Sequence, residues 1–184
     1  MAQVEQQAFP LELHPLDGER EQRATQRALR QWQRLRGNRR TPLFGEFRYS
    51  EEPPWDATQF LLKQDILVGY SVFILCGAKA AAAFGGLPVR KTLIEVAPEA
   101  LREQMTADCE TAIASAAPAG SEGWYRGPEQ ARVQYRYIFL PLEAALSRFG
   151  YIFGAYSECQ RWARRAPGRL PGRGKQKLEL RSVG

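Results

Sequence analysis

Acid–base, nucleophilic and metal chemistry start from histidine, cysteine and the carboxylates, and this chain arranges few of them for such work. Its one histidine, His14, stands in a lead-in punctuated by Pro10 and Pro15. Proton shuttling, imidazole ligation and Ser–His or Cys–His activation therefore lose their usual participant in the core. Cys76, Cys109 and Cys159 are odd in number and scattered. They match no metal-ligand spacing and read as reduced, inert thiols. Carboxylates pair at Glu51-Glu52, at Asp108 and Glu110, and at Glu99 and Glu103. The last pair is one helical turn apart with Arg102 between, the pattern of a solvated face. Gly85-Gly86-Leu87-Pro88 lacks the Lys-Ser/Thr of a phosphate-binding loop. The expectation is a protein that is not an enzyme, with no catalytic residue and no metal.

The remaining candidates for function are aromatic and basic. Of 184 residues, 44% are hydrophobic and 11% aromatic, enough for one compact core with extensions. The net charge of +6 is unevenly spread. Residues 161–184 carry eight basic side chains against Glu179, and residues 17–40 carry eight arginines against three acids. Residues 41–160, by contrast, hold ten basic and fourteen acidic residues. The middle is mildly acidic, so the high isoelectric point belongs to the flanks, unlike a folded nucleic-acid reader with its cations on one structured face. Apolar runs such as Ile66 to Cys76 are too short to span a bilayer. Met1 to Gln7 have neither the basic start nor the apolar run of a secretory signal. A cytoplasmic protein is expected.

Periodicity divides the chain into an irregular lead-in (1–16), an amphipathic helix (17–40), a folded domain (41–160) and a basic, flexible tail (161–184). The helix is read from about Gly18 to Arg36, with Asp17 as N-cap and Gly37 as stop. Ala24, Ala28, Trp32 and Leu35 form one stripe with Leu29 beside it. A turn-rich stretch, Arg39 to Trp55, leads to two apolar, β-branched strands at Gln59 to Ile66 and Gly69 to Cys76. Gly77 to Phe84 is alanine-rich and reads as a short helix closed by Gly85 and Gly86. Pro98 opens a helix running to about Ala116, with Leu101, Met105, Cys109 and Ala112 on one stripe. Three strands complete the pattern: Glu122 to Arg126, Arg132 to Leu142 and Phe149 to Ser157. Arg132, Gln134 and Arg136 alternate with Val133, Tyr135, Tyr137 and Phe139, but Ile138, Leu140 and Leu142 make the second half apolar on both faces. Such a strand must be covered on both faces, and the Leu29–Trp32–Leu35 stripe is the available cover, from the same chain or from a second copy.

Three segments carry a resemblance: Trp32-Gln33-Arg34-Leu35-Arg36-Gly37-Asn38-Arg39-Arg40-Thr41-Pro42; Leu75-Cys76-Gly77-Ala78-Lys79-Ala80-Ala81-Ala82-Ala83-Phe84-Gly85; and Leu140-Pro141-Leu142 with Gly154-Ala155. In order and spacing they resemble a bacterial family of short, stand-alone PAS-like proteins. The chain departs from that family before the first strand, where Pro53-Pro54-Trp55-Asp56 replaces a Leu-Pro-His. The resemblance implies an α+β, PAS-like fold: a five-stranded antiparallel sheet with helices on one face, plus the N-terminal amphipathic helix. It implies a sensory or regulatory module that binds a small molecule or a signalling protein partner. Haem is disfavoured by the lack of a core histidine, and flavin because Thr106-Ala107-Asp108-Cys109-Glu110 does not match the Asn-Cys-Arg-type stretch of flavin photoreceptors. The pocket candidates between sheet and helices are Phe73, Phe84, Leu93, Met105, Tyr135, Tyr137 and Phe153; plain core packing accounts for the same residues. Leu29, Trp32 and Leu35 are the interaction candidates, with homodimerisation through the helix one option. The alternative is a nucleic-acid-associated protein using the arginine-rich helix and basic tail, with the folded middle as a dimerisation core.

Overall fold

A computed structural model describes residues 24–48, 57–127, 131–144 and 150–161. His14, the helix start at 17–23, Pro53 to Asp56 and the tail 162–184 lie outside the described residues. Among these residues, five α-helices and five strands follow in order, with 3-10 turns at Val68–Tyr70 and Glu99–Leu101: α1 (Ala24–Arg36), α2 (Phe44–Arg48), β1 (Gln59–Lys63), β2 (Val72–Cys76), α3 (Ala78–Ala83), α4 (Leu93–Val96), α5 (Arg102–Ser115), β3 (Ala119–Arg126), β4 (Arg132–Leu142) and β5 (Tyr151–Arg161). The five strands form one antiparallel sheet in the order β2-β1-β5-β4-β3. The helices between the second and third strands pack on one face, so the fold is PAS-like and α+β.

Period-2 alternation decides which side chains meet which layer. On the inner face, Phe60, Leu62, Phe73, Val133, Tyr135, Tyr137, Phe139, Ile152 and Tyr156 join Leu93, Leu101, Met105, Cys109 and Ala112 in one core. Met105, Cys109 and Ala112 of the stripe read from sequence form the buried face of α5, and Leu101, equally enclosed, lies in the 3-10 turn Glu99–Leu101 that precedes it, so the α-helix begins at Arg102 and not at Pro98. On the outer face, Leu61, Ile138, Leu140, Leu142, Phe153 and Ala155 form a second core with Ala28, Leu29 and Trp32 of α1. The doubly apolar half of β4 therefore has both covers. The outer one comes from the chain's own helix, with Leu35 at the margin.

The Trp32 indole donates a hydrogen bond to the Pro141 carbonyl at 2.7 Å. A proline within β4 leaves its strand geometry intact but removes a ladder donor, and the indole adds a partner for the carbonyl. At the far end of α1, Gly37 takes a left-handed conformation (φ 54°) that a residue with a Cβ adopts less readily. The Arg39 guanidinium then binds the Leu35 carbonyl at 2.8 Å and pairs with Glu46 on α2.

The structure differs from the sequence reading in four further places. Within the stretch read as turns, residues 44–48 form α2, and Phe44 stacks on Tyr151 with ring centroids 3.7 Å apart. The break between the first two strands is longer than expected, because Val68–Tyr70 forms a 3-10 turn and β2 begins only at Val72. Strand β3 starts at Ala119, directly after the Pro118 stop, because Gly120 and Gly123 suit a strand crowded by β4. Strand β5 runs on to Arg161, since β4 offers ladder partners as far as Arg132.

Candidate functional site

The sheet is lopsided. β1 and β2 have five residues each, whereas β4 and β5 have eleven. Apolar side chains of the inner face fill the end beneath α3 and α4. Phe84 stacks on Tyr156 at 4.6 Å, and Phe60, Phe73 and Phe84 meet pairwise edge-on or tilted at 5.2 to 5.8 Å. The other end, beneath α5, is polar.

Four tyrosines of three neighbouring strands share this polar end: Tyr125 on β3, Tyr135 and Tyr137 on β4, and Tyr156 on β5. All are buried. The rings of Tyr135 and Tyr137 lie nearly parallel, with centroids 5.9 Å apart. Gly123 lies beneath Tyr135; a Cβ there would stand 3.1 Å from its hydroxyl oxygen. Three of the four hydroxyls, those of Tyr125, Tyr137 and Tyr156, bond to two carboxylates. Asp108 of α5 accepts from the Tyr137 hydroxyl at 2.7 Å, from Ser121 at 2.6 Å and from the Gln104 amide at 3.0 Å. Glu158 of β5 accepts from Tyr156 at 2.8 Å and from Tyr125 at 3.1 Å. Both carboxylates are half-buried, and among the described residues every partner they have is neutral.

This environment acts on the phenols in one direction. Burial, reinforced by Glu158, pushes Tyr125 up to about 12. Burial, aided by Asp108, raises Tyr135 and Tyr137, and burial with Glu158 raises Tyr156. A buried phenolate beside a carboxylate combines lost hydration with like charge. An unfolded tyrosine ionises near pH ~10, so each raised phenol contributes stability that is intact below that pH and declines as pH rises above it. In an alkaline titration followed by phenolate absorbance, four of the seven tyrosines are expected to ionise only together with the loss of near-ultraviolet circular dichroism. Smooth ionisation of all seven with the fold retained would contradict that coupling.

The two thiols among the described side chains, Cys76 and Cys109, are held out of reactivity. Burial raises Cys76 to about 11 and raises Cys109, which also faces Glu110 and Asp108. Neither is a thiolate at neutral pH, and thiolate is the nucleophilic form. Among the described residues, no group of three or more His, Cys, Asp or Glu side chains is placed to hold a metal ion, and no helix is long and apolar enough to cross a membrane.

Of the pocket candidates, Phe73, Phe84, Leu93, Met105, Tyr135 and Tyr137 lie together in the inner core. Phe153 does not. It belongs to the outer core under α1, one step out of phase with Ile152, Gly154 and Tyr156, because successive β5 residues alternate faces. Leu29 and Trp32 are buried against the chain's own sheet. The polar members Asp108, Ser121, Tyr125, Tyr156 and Glu158 were absent from the candidates. Two signals were available. Gln104 and Asp108 stand beside the α5 stripe, one turn apart, and the inner parity of β5 passes through Tyr156 to Glu158 once the strand is extended.

No family model matches the sequence, and no curated protein matches it. Among solved structures, a domain of an HTR-like protein from Haloarcula marismortui is similar at 12% identity, covering 55% of this chain and 97% of its own, with a TM-score of 0.38. A PAS-B domain of Drosophila melanogaster Cycle with bound glycerol is similar at 11% identity, covering 54% and 99%, with a TM-score of 0.40. The light-state dimer of the fungal blue-light photoreceptor Vivid is similar at 15% identity, covering 79% and 99%, with a TM-score of 0.41. The PAS-like assignment itself rests on this chain's strand order and on the placement of its helices.

Proposed function

We propose that this protein is a non-catalytic sensory or regulatory PAS-like module. In this reading the tyrosine-lined polar end beneath α5 takes a small organic molecule and passes its occupancy to a signalling protein partner. The observation that carries it is the pair of half-buried carboxylates, Asp108 and Glu158, whose described partners are hydroxyls and an amide. Buried phenols need acceptors in any core, but two carboxylates, costlier to bury than neutral acceptors, exceed that need. A ligand site uses such groups to fix orientation within mostly aromatic walls. Residue type supports the non-catalytic part of the reading: the one histidine is His14 in the lead-in, and both described thiols are protonated at neutral pH. Haem and flavin form no part of the proposal, for the reasons of residue type given above.

Native mass spectrometry of the purified full chain is expected to show a mass excess that vanishes on denaturation. Tyr137→Phe keeps the ring but removes the Asp108 donor, and should lower retention of that mass about tenfold, as the loss of one hydrogen bond to a charged acceptor predicts. The bare chain mass in the native spectrum, with no melting shift from millimolar amines, polyols or aromatic acids, would refute the reading.

A further inference from the structure

The polar end beneath α5 is rich in acceptors and short of donors. The phenol protons of Tyr125, Tyr137 and Tyr156 are all committed to carboxylates, and the Ser121 hydroxyl proton goes to Asp108. The acceptors are not used up. Tyr125 and Tyr156 both bond to Oε2 of Glu158, so Oε1 has no donor among the described residues. At Asp108, Oδ2 takes Tyr137 and Ser121, while Oδ1 takes only the Gln104 amide. Neither carboxylate has a cationic partner among the described residues. The fourth phenol, Tyr135, is only 2% exposed, and its hydroxyl has no hydrogen-bond partner among those residues. It lies over Gly123 of β3, and burial, then the Asp108 charge, oppose its ionisation. A buried hydroxyl costs free energy until something supplies its partner.

Given the ligand-binding role proposed above, on which this rests, we infer that the site takes a protonated organic amine, held by Glu158, Asp108 and the Tyr135 hydroxyl. An ammonium group brings N–H donors and the positive charge that two half-buried carboxylates lack. The rings of Tyr125, Tyr135 and Tyr137 follow one another with centroids 6.0 and 5.9 Å apart, and aromatic faces attract cations. An organic acid would add charge of the same sign to a site with one uncommitted phenol proton. An alcohol would donate but leave both charges unmatched. A metal ion lacks its ligands, since among the described residues no three His, Cys, Asp or Glu side chains are placed to hold one.

The test uses the full chain and three probes that share a ring and a two-carbon arm: phenethylamine, phenethyl alcohol and hydrocinnamate. Calorimetric titration should give the amine about tenfold or more higher affinity than the alcohol, the worth of one charge-assisted hydrogen bond, and no binding of the acid. Glu158→Gln keeps the shape of the side chain and an oxygen for the phenols but removes the charge. The amine's advantage over the alcohol should then fall about tenfold, while the affinity for the alcohol holds. Asp108→Asn carries the same prediction and serves if the first variant loses cooperative melting. The molecule released from the purified chain on denaturation should contain a basic nitrogen. Equal or tighter binding of the alcohol or the acid, an advantage unchanged in both variants, or a retained molecule without basic nitrogen would overturn the amine assignment and leave the ligand-binding role standing. A bare native mass, with no binding of any probe, would remove both.

Discussion

Trp32→Ala is expected to detach α1 and to remove about 3–5 kcal/mol of stability, the range for deleting a large aromatic from a core. The indole is 1% exposed and sits among Leu61, Ile138, Leu140, Leu142, Phe153 and Ala155. Its loss opens a cavity between helix and sheet and frees the Pro141 carbonyl at the same time. For a domain of this size the melting temperature should fall by roughly 10–20 °C. Trp32→Phe separates the two contributions. It keeps most of the apolar contact and loses only the indole donor, so its cost should be near 1–2 kcal/mol. If α1 leaves the sheet, Ile138, Leu140 and Leu142 are exposed and the protein should self-associate, visible as a larger species in sedimentation. A Trp32→Ala variant that melts like wild type and stays monodisperse would mean that α1 does not cover this face.

The outer cover shows how much was legible in the residues. Strand β4 announced its own situation: alternating Arg132 to Tyr137 implied one exposed face, and the apolar second half implied a lid ending near Ile138. The lid was nameable because Trp32 and Leu29 share a helical stripe, and the structure places them there. The α5 stripe and the Gly85-Gly86 stop follow from comparably local signals, with Gly85 at φ 78° and Gly86 at φ 148°, whereas the strand order β2-β1-β5-β4-β3 joins the first strand to the last and has no local signal. The polar site was less legible, since Asp108 and Tyr137 are 29 positions apart and meet only once α5 is laid over β4. Asp108 alone reads as a solvated helix carboxylate, and its one sequence signal is its place beside the α5 stripe, one turn from Gln104. Phe153 was misassigned for a different reason: an apolar stretch at 151–156 lacks the polar alternation that would reveal its phase.

Gly154→Ala is expected to cost about 2–3 kcal/mol despite adding one methyl group to a strand, where alanine would normally be neutral or better. Gly154 lies opposite both Phe60 of β1 and Phe139 of β4. Those two rings meet edge-on at 5.8 Å above it. A Cβ at this position would run into the Phe60 ring, reaching Cε2 at 2.6 Å and the Ile138 carbonyl oxygen at 2.7 Å. The ring can turn only by displacing Phe73 and Phe84, which pack against it, and the Ile138 oxygen is backbone in the adjoining strand. The absent side chain is therefore the notch that lets Phe60 lie flat on β5, and Gly154 is demanded by close approach, not by an unusual φ. Phe60→Leu supplies the control. Alone it should cost roughly 1–2 kcal/mol for lost aromatic contact, but combined with Gly154→Ala the total should fall short of the sum by about 1 kcal/mol, because the smaller side chain vacates part of the space. The Ile138 contact persists, so rescue should be incomplete. Chemical denaturation of the four proteins measures this cycle; strict additivity would show that the ring and the glycine do not share that space.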